Sequence, residues 1–250
     1  MRSLLRRVLP VAALLGFLVP IQASAQADNR LPDLKDEVLQ MVEEDAKQVQ
    51  EIVDMLFSFG ELGFQEFETQ RYLTGILEEA GFEIELGVAG MPSAWTARWA
   101  NGTGSPVIAI GSDVDGIPQS NQKPGVGYRD PILSMAPGHG EGHNSGQAVN
   151  IVAALNVKEL MERENIDGTL LMWPGIAEEQ LGSKAFFVRD GVFDGVDVNL
   201  FIVALKLDSR IAELDRTSRL QIGLFDTNLV YKCPIGTTQI LDEIGWTGLI

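Results

Sequence analysis

Apolar residues at Leu34, Val38, Met41, Val42, Val49, Ile52, Val53 and Leu56 recur three and four positions apart, with acids on the opposite face. That spacing predicts one amphipathic helix over 33–58. A glycine-broken loop, SFGELGFQE, follows, and then a second helical pattern over 66–80 with Phe67, Leu73, Ile76 and Leu77 inward and Gly81 as its stop. The pattern then changes period. FEIEL (82–86) alternates apolar and polar residues, and AWTARWA (94–100) runs into Asn101-Gly102, a hairpin-type turn. PVIAIGSD (106–113) is a continuous apolar run ending in small and acidic residues, as in a strand covered on both faces, GTLLMWPG (168–175) reads as another buried strand, and VDVNLFIVAL (196–205) as a further strand. A broad apolar face at Val149, Ile151, Val152, Leu155, Val157 and Leu160 predicts a helix over 145–163, and a short one is expected near 181–190.

Helices alternating with buried strands predict an α/β fold: a layered, mostly parallel sheet with helices on both faces. The strands near 106–112 and 168–173 are expected to be parallel neighbours joined through the 145–163 helix. In such sheets ligands bind at the carboxyl ends of the strands. Three polar groupings fall at or near such ends: Asp113 with Asp115, the loop GHGEGHNSG (138–146), and Glu178-Glu179.

Composition narrows the setting. Residues 1–25 combine Arg2, Arg6 and Arg7 with an apolar run from Val8 to Ile21 and a final Ala23-Ser24-Ala25. This is the layout of a signal peptide, and it predicts a secreted or periplasmic protein that starts at Gln26 and has no membrane segment after processing. An uncleaved anchor is the alternative, although Pro10 and Pro20 interrupt the run. The formal net charge is −16, and loss of the three arginines takes it to −19. So acidic a chain argues against nucleic acid or an anionic membrane as partner. The single Cys233 cannot form an internal disulfide, so the core must hold the fold.

Both histidines of the chain, His139 and His143, lie in GHGEGHNSG with Glu141 between them. The stretch can be read as a polar turn in which Asn144 or Ser145 caps the next helix. It can also be read as a metal site, with the glycines around Glu141 letting the backbone aim two ligands at one point. Adjacent Glu178 and Glu179 can divide metal binding from proton transfer if a tight turn separates their directions. Zinc ligand atoms sit roughly 2 Å from the ion, so true ligands should lie about 3–4 Å from one another. Ser145 lacks the Gly-x-Ser-x-Gly surroundings of a serine hydrolase nucleophile.

The ordered set SFGELGFQEFETQRYLTGILEEAGF, VAGMPSAW, PVIAIGSDVDGIP, GHGEGHNSG and AEEQLGSKAFFVRDGVF resembles the metal-dependent amidohydrolases and peptidases related to hippurate hydrolase and aminoacylase, over roughly residues 50–203. The resemblance implies an N-terminal portion of a metallohydrolase catalytic domain over 26–203, a zinc or manganese cofactor, and a small amide or peptide substrate. It casts Glu141, His143 and Glu179 as metal ligands and Asp113 as a residue that orients or bridges metals. Glu178 is cast as general base, with His139, Asp115 and Asn144 in supporting places. Relatives carry cysteine where Glu141 stands, and a carboxylate shifts preference from zinc toward manganese. Relatives also place a ligand histidine where Ala204, Leu205 and Lys206 stand here. They add a lid domain on which any homodimer would depend. Residues 204–250 match nothing in the family. A truncated, non-catalytic remnant or binding domain of the same fold is therefore the competing expectation.

Overall fold

The computed structural model describes residues 30–180 and 182–202. The expected signal peptide and the 204–250 tail, with Ala204, Leu205 and Lys206, lie outside the described residues. Among the described residues no helix is long and apolar enough to cross a membrane.

The predicted single helix over 33–58 is two: α1 (Leu31–Glu44) and α2 (Ala46–Phe59). Asp45 between them leaves helical geometry at φ −89°, ψ 9°, while the backbone bonds Asp45 N–H to Met41 O and Val49 N–H to Asp45 O persist. The break is held from outside, because Asn156 Nδ2 donates to Asp45 Oδ2 at 2.9 Å. The bend lets both helices lie along α4 (His143–Glu164). Helix α3 (Phe67–Glu79) ends as expected: Gly81 takes φ +87°, and Phe82 N–H closes back on Leu77 O.

The sheet has five strands in the order β1-β2-β4-β3-β5: β1 (Glu83–Leu86), β2 (Trp95–Asn101), β3 (Val107–Asp113), β4 (Gly168–Gly175) and β5 (Val198–Ile202). Strands β3 and β4 are parallel neighbours, with Ile110 opposite Met172, and β5 adds parallel to β3. Strands β1 and β2 join by antiparallel pairing, β2 against β4. The Asn101-Gly102 turn forms, with Gly104 N–H bonded to Asn101 O, but it is not a hairpin between sheet neighbours. Instead, Asn101 Nδ2 reaches across to Met161 O and Ile166 O at the end of α4. Strand β4 is buried throughout, as its apolar run predicts.

Helices cover both faces. Gly146 of α4 lies against Ser112, while Trp173 lies over Gly111 and meets Phe187 of α5 (Ser183–Arg189) edge-on at 5.9 Å. Gly111 and Ser112 are consecutive in β3 and so face opposite sides. Helix α4 is wrapped by the sheet, α1 and α2, which accounts for a departure from the predicted apolar stripe. Gln147, Asn150 and Asn156 are buried, while Val149 is exposed.

Packing at Gly111 is tight. A Cβ there would come within 2.3 Å of Trp173 Cε2, and Trp173 is pinned by Phe187, Phe193, Phe201 and a hydrogen bond to Asn199. Gly111→Ala is expected to cost about 1–3 kcal/mol by overpacking. The urea midpoint reads this directly, and an unchanged midpoint would show that the tryptophan moves aside freely.

Candidate metal centre

Three chain segments meet at the carboxyl end of the parallel strands. The first leaves β3 through Asp113, Val114 and Asp115. The second is the loop that enters α4. The third leaves β4 through Ile176 and Ala177 into a single helical turn, Glu178–Gln180.

The loop entering α4 works through its glycine. Gly142 stands at the helix N-terminus with φ +91°, a conformation open to glycine and costly for other residues. The chain therefore reverses between Glu141 and His143, and His143 Nε2 comes to 3.6 Å from Glu141 Oε2. The turn after β4 makes the matching approach from the other side. One ligand atom from each of Glu141, His143, Glu178 and Glu179 lies within 4.8 Å of the others. His143 is buried, Glu178 and Glu179 are half-buried, and Glu141 is exposed.

Asp115 supports this group. His143 Nδ1 donates to the Asp115 carbonyl at 2.9 Å and lies 3.4 Å from Asp115 Oδ1. A carbonyl can only accept, so Nδ1 carries a hydrogen, and Nε2 faces the carboxylates. The other oxygen, Asp115 Oδ2, accepts the backbone N–H of Glu179 at 3.0 Å. Burial pulls the His143 pKa down, but the bonds to Asp115 and the charges of Asp113 and Asp115 outweigh it and leave it up at about 9. Glu179 is pushed above the usual carboxylate range by burial and then by repulsion from Glu141, against which His143 works.

The remaining residues expected at the site are placed as follows. Asp113 does not enter the converging group: Lys184 Nζ holds its oxygens at 2.8 and 3.0 Å. This is a correction to its expected place as a ligand. Burial still raises Asp113 to about 6, with Lys184 pulling the other way. His139 points away, Nε2 to Leu56 O at 3.0 Å, and burial lowers it to about 4, so the ring is neutral and donates. Asn144 lies in the first turn of α4 and ties it to α2 through Val53 O at 3.2 Å. It caps nothing at this helix start.

The donor set fits a divalent cation. Three carboxylates and one imidazole converge, and Glu179 Oε1 is buried without a hydrogen-bond partner. Acids crowded in this way repel one another unless a cation joins them. Oxygen-rich donors with one imidazole suit zinc, manganese or a similar ion.

The chain is 33% identical over 159 residues to a subunit of the p-aminobenzoyl-glutamate hydrolase of Escherichia coli, a match covering 64% of this chain and 33% of that protein. Over this stretch the chain is similar to the metal-dependent amidohydrolases and peptidases. It is 27% identical over 171 residues to N-acetyl-L-cysteine deacetylase of Bacillus subtilis, covering 64% of this chain and 39% of that protein. The fold matches the crystal structure of a Bacillus subtilis dinuclear metal-binding peptidase of the M20 family, with a TM-score of 0.53 and 24% identity over 64% of this chain and 44% of that one. The chain thus spans between a third and two fifths of the length of these two curated relatives. No protein-family model matches it.

Two contributors carry little signal in the sequence. Lys184 reads as an ordinary helix residue in AEEQLGSKAFF. Glu66 stands at the end of a glycine-broken loop, yet it is among the most deeply buried side chains described. Its only local signal is an acid directly before an apolar helix start.

Proposed function

We propose that this chain carries the metal site of a hydrolase that cleaves the amide bond of an N-acyl amino acid or short peptide. The observation that carries the reading is the convergence of Glu141, His143, Glu178 and Glu179 at the carboxyl end of the parallel strands. The names of the relatives support an amide substrate, a p-aminobenzoyl-glutamate or an N-acetylated amino acid among them.

In this reading Glu141, His143 and Glu179 hold the ion. When bound, a zinc or manganese ion supplies a Lewis acid for the amide carbonyl and lowers the pKa of water. The protein's own part is orientation and proton transfer. Asp115 fixes the His143 ring, and the same carboxylate anchors Glu179 through its backbone N–H. Second partners of this kind set ligand direction and basicity. Glu178 accepts the proton of the attacking water and delivers it to the departing nitrogen. The residue pattern of 1–25 supports action outside the cytoplasm, and N-terminal sequencing of the processed protein tests that part.

Metal analysis of the purified chain together with an acyl-glutamate hydrolysis assay tests the whole. A stoichiometric divalent metal and metal-dependent release of glutamate are expected. A metal-free protein with no turnover after zinc or manganese is added would reject the reading.

A further inference from the structure

The Glu178-Glu179 turn begins with a strained residue. Ala177 is fully buried at φ +49°, a left-handed conformation that costs a non-glycine residue on the order of 1 kcal/mol unless its surroundings hold it. Three groups do so. Glu66 Oε1 accepts the Ala177 N–H at 2.8 Å. Gly63 packs beneath, where an added Cβ would lie 2.7 Å from Ala177 Cα. Gln180 Nε2 donates to Gly63 O at 3.3 Å. The other Glu66 oxygen is taken by Ser93 Oγ at 2.6 Å, so both of its oxygens are fixed. On the far side, Asp115 Oδ2 accepts the Glu179 N–H. The two N–H groups that flank Glu178 are therefore each gripped by a different buried carboxylate.

We infer that Glu66 is a positioning residue for the metal centre: its buried carboxylate sets the left-handed turn at Ala177 and so aims Glu178 and Glu179 at the cluster. An acid with 1% exposure is costly, and burial pushes its pKa up while Ser93 and Ala177 pull it down. The arrangement is intelligible if direction is what the carboxylate provides. The inference rests on the metal-hydrolase reading for its consequence, but the grip on Ala177 can be tested without it.

The experiment compares wild type, Glu66→Ala, Glu66→Gln and a destabilised control, Leu77→Ala, in the full chain. Leu77 is a buried core residue near the far end of α3. Two readouts are taken: Mn²⁺ affinity by calorimetry, and amide hydrogen exchange at Ala177 in metal-free protein. Glu66→Ala is expected to lose at least about tenfold in Mn²⁺ affinity, as outer partners of metal ligands do. It should also lose protection at Ala177. Glu66→Gln keeps an acceptor oxygen for the Ala177 N–H and should stay close to wild type in both. Leu77→Ala should melt earlier yet bind Mn²⁺ normally. Wild-type affinity in Glu66→Ala, or equal losses in Glu66→Ala and Leu77→Ala, would overturn the inference. If wild type binds no Mn²⁺, the metal reading fails on its own. Loss of Ala177 protection in Glu66→Ala would then still uphold Glu66 as the residue that sets the turn, and unchanged protection would overturn that too.

Discussion

His143→Ala is expected to lose metal binding by at least about tenfold, and with it any metal-dependent turnover. The imidazole is the only nitrogen donor in the converging group, and its ring is held directly by a second residue, through Nδ1 to Asp115. Removing it leaves Glu141, Glu178 and Glu179, three carboxylates without a counter-charge among them. Calorimetric titration of the variant with Zn²⁺ or Mn²⁺ measures the loss. Circular dichroism checks that α4, which begins at this residue, still forms. A variant that folds and binds metal as tightly as wild type would show that the loop is a turn and nothing more.

Glu178→Gln should separate binding from chemistry. The amide keeps the size and hydrogen-bonding shape of the side chain but cannot take a proton at neutral pH. With Glu141, His143 and Glu179 intact, metal content is expected to stay near wild type. Hydrolysis of an acyl-glutamate should fall by about 10²–10⁴-fold, the usual contribution of a placed general base. Metal analysis and a rate assay on the same sample decide the matter. Parallel loss of both would make Glu178 a ligand and leave the base unidentified.

The parts of this molecule that are local in sequence are legible in it. The apolar runs at 106–113 and 168–175 are parallel neighbours, joined by the helix expected between them. His143 and Glu141 are two residues apart, and the glycine that brings them together stands between them. What the sequence hides are polar pairings across long separations. Asn156 bends the first helix at Asp45, Lys184 takes Asp113 out of the ligand set, and Glu66 reaches Ala177. Each is a single side chain meeting a distant partner, and no period along the chain encodes it. The antiparallel placing of β2 beside β4 is hidden for a related reason. A turn signal such as Asn101-Gly102 states that the chain reverses, while the neighbour in the sheet is chosen by packing.

The two rims of the sheet differ in a way that bears on handling the protein. At one rim β1 reads Glu83-Ile84-Glu85-Leu86, and its acids discourage any foreign strand from adding there. At the other, β5 reads Val198-Asn199-Leu200-Phe201-Ile202, with neither charge nor proline, and among the described residues β3 is its sole partner. An apolar rim with open backbone donors and acceptors is a template for self-association. Among the described residues β5 is the rim from which precipitation of concentrated stocks would start, and a lysine introduced at Val198, an exposed position on that rim, is the conservative remedy.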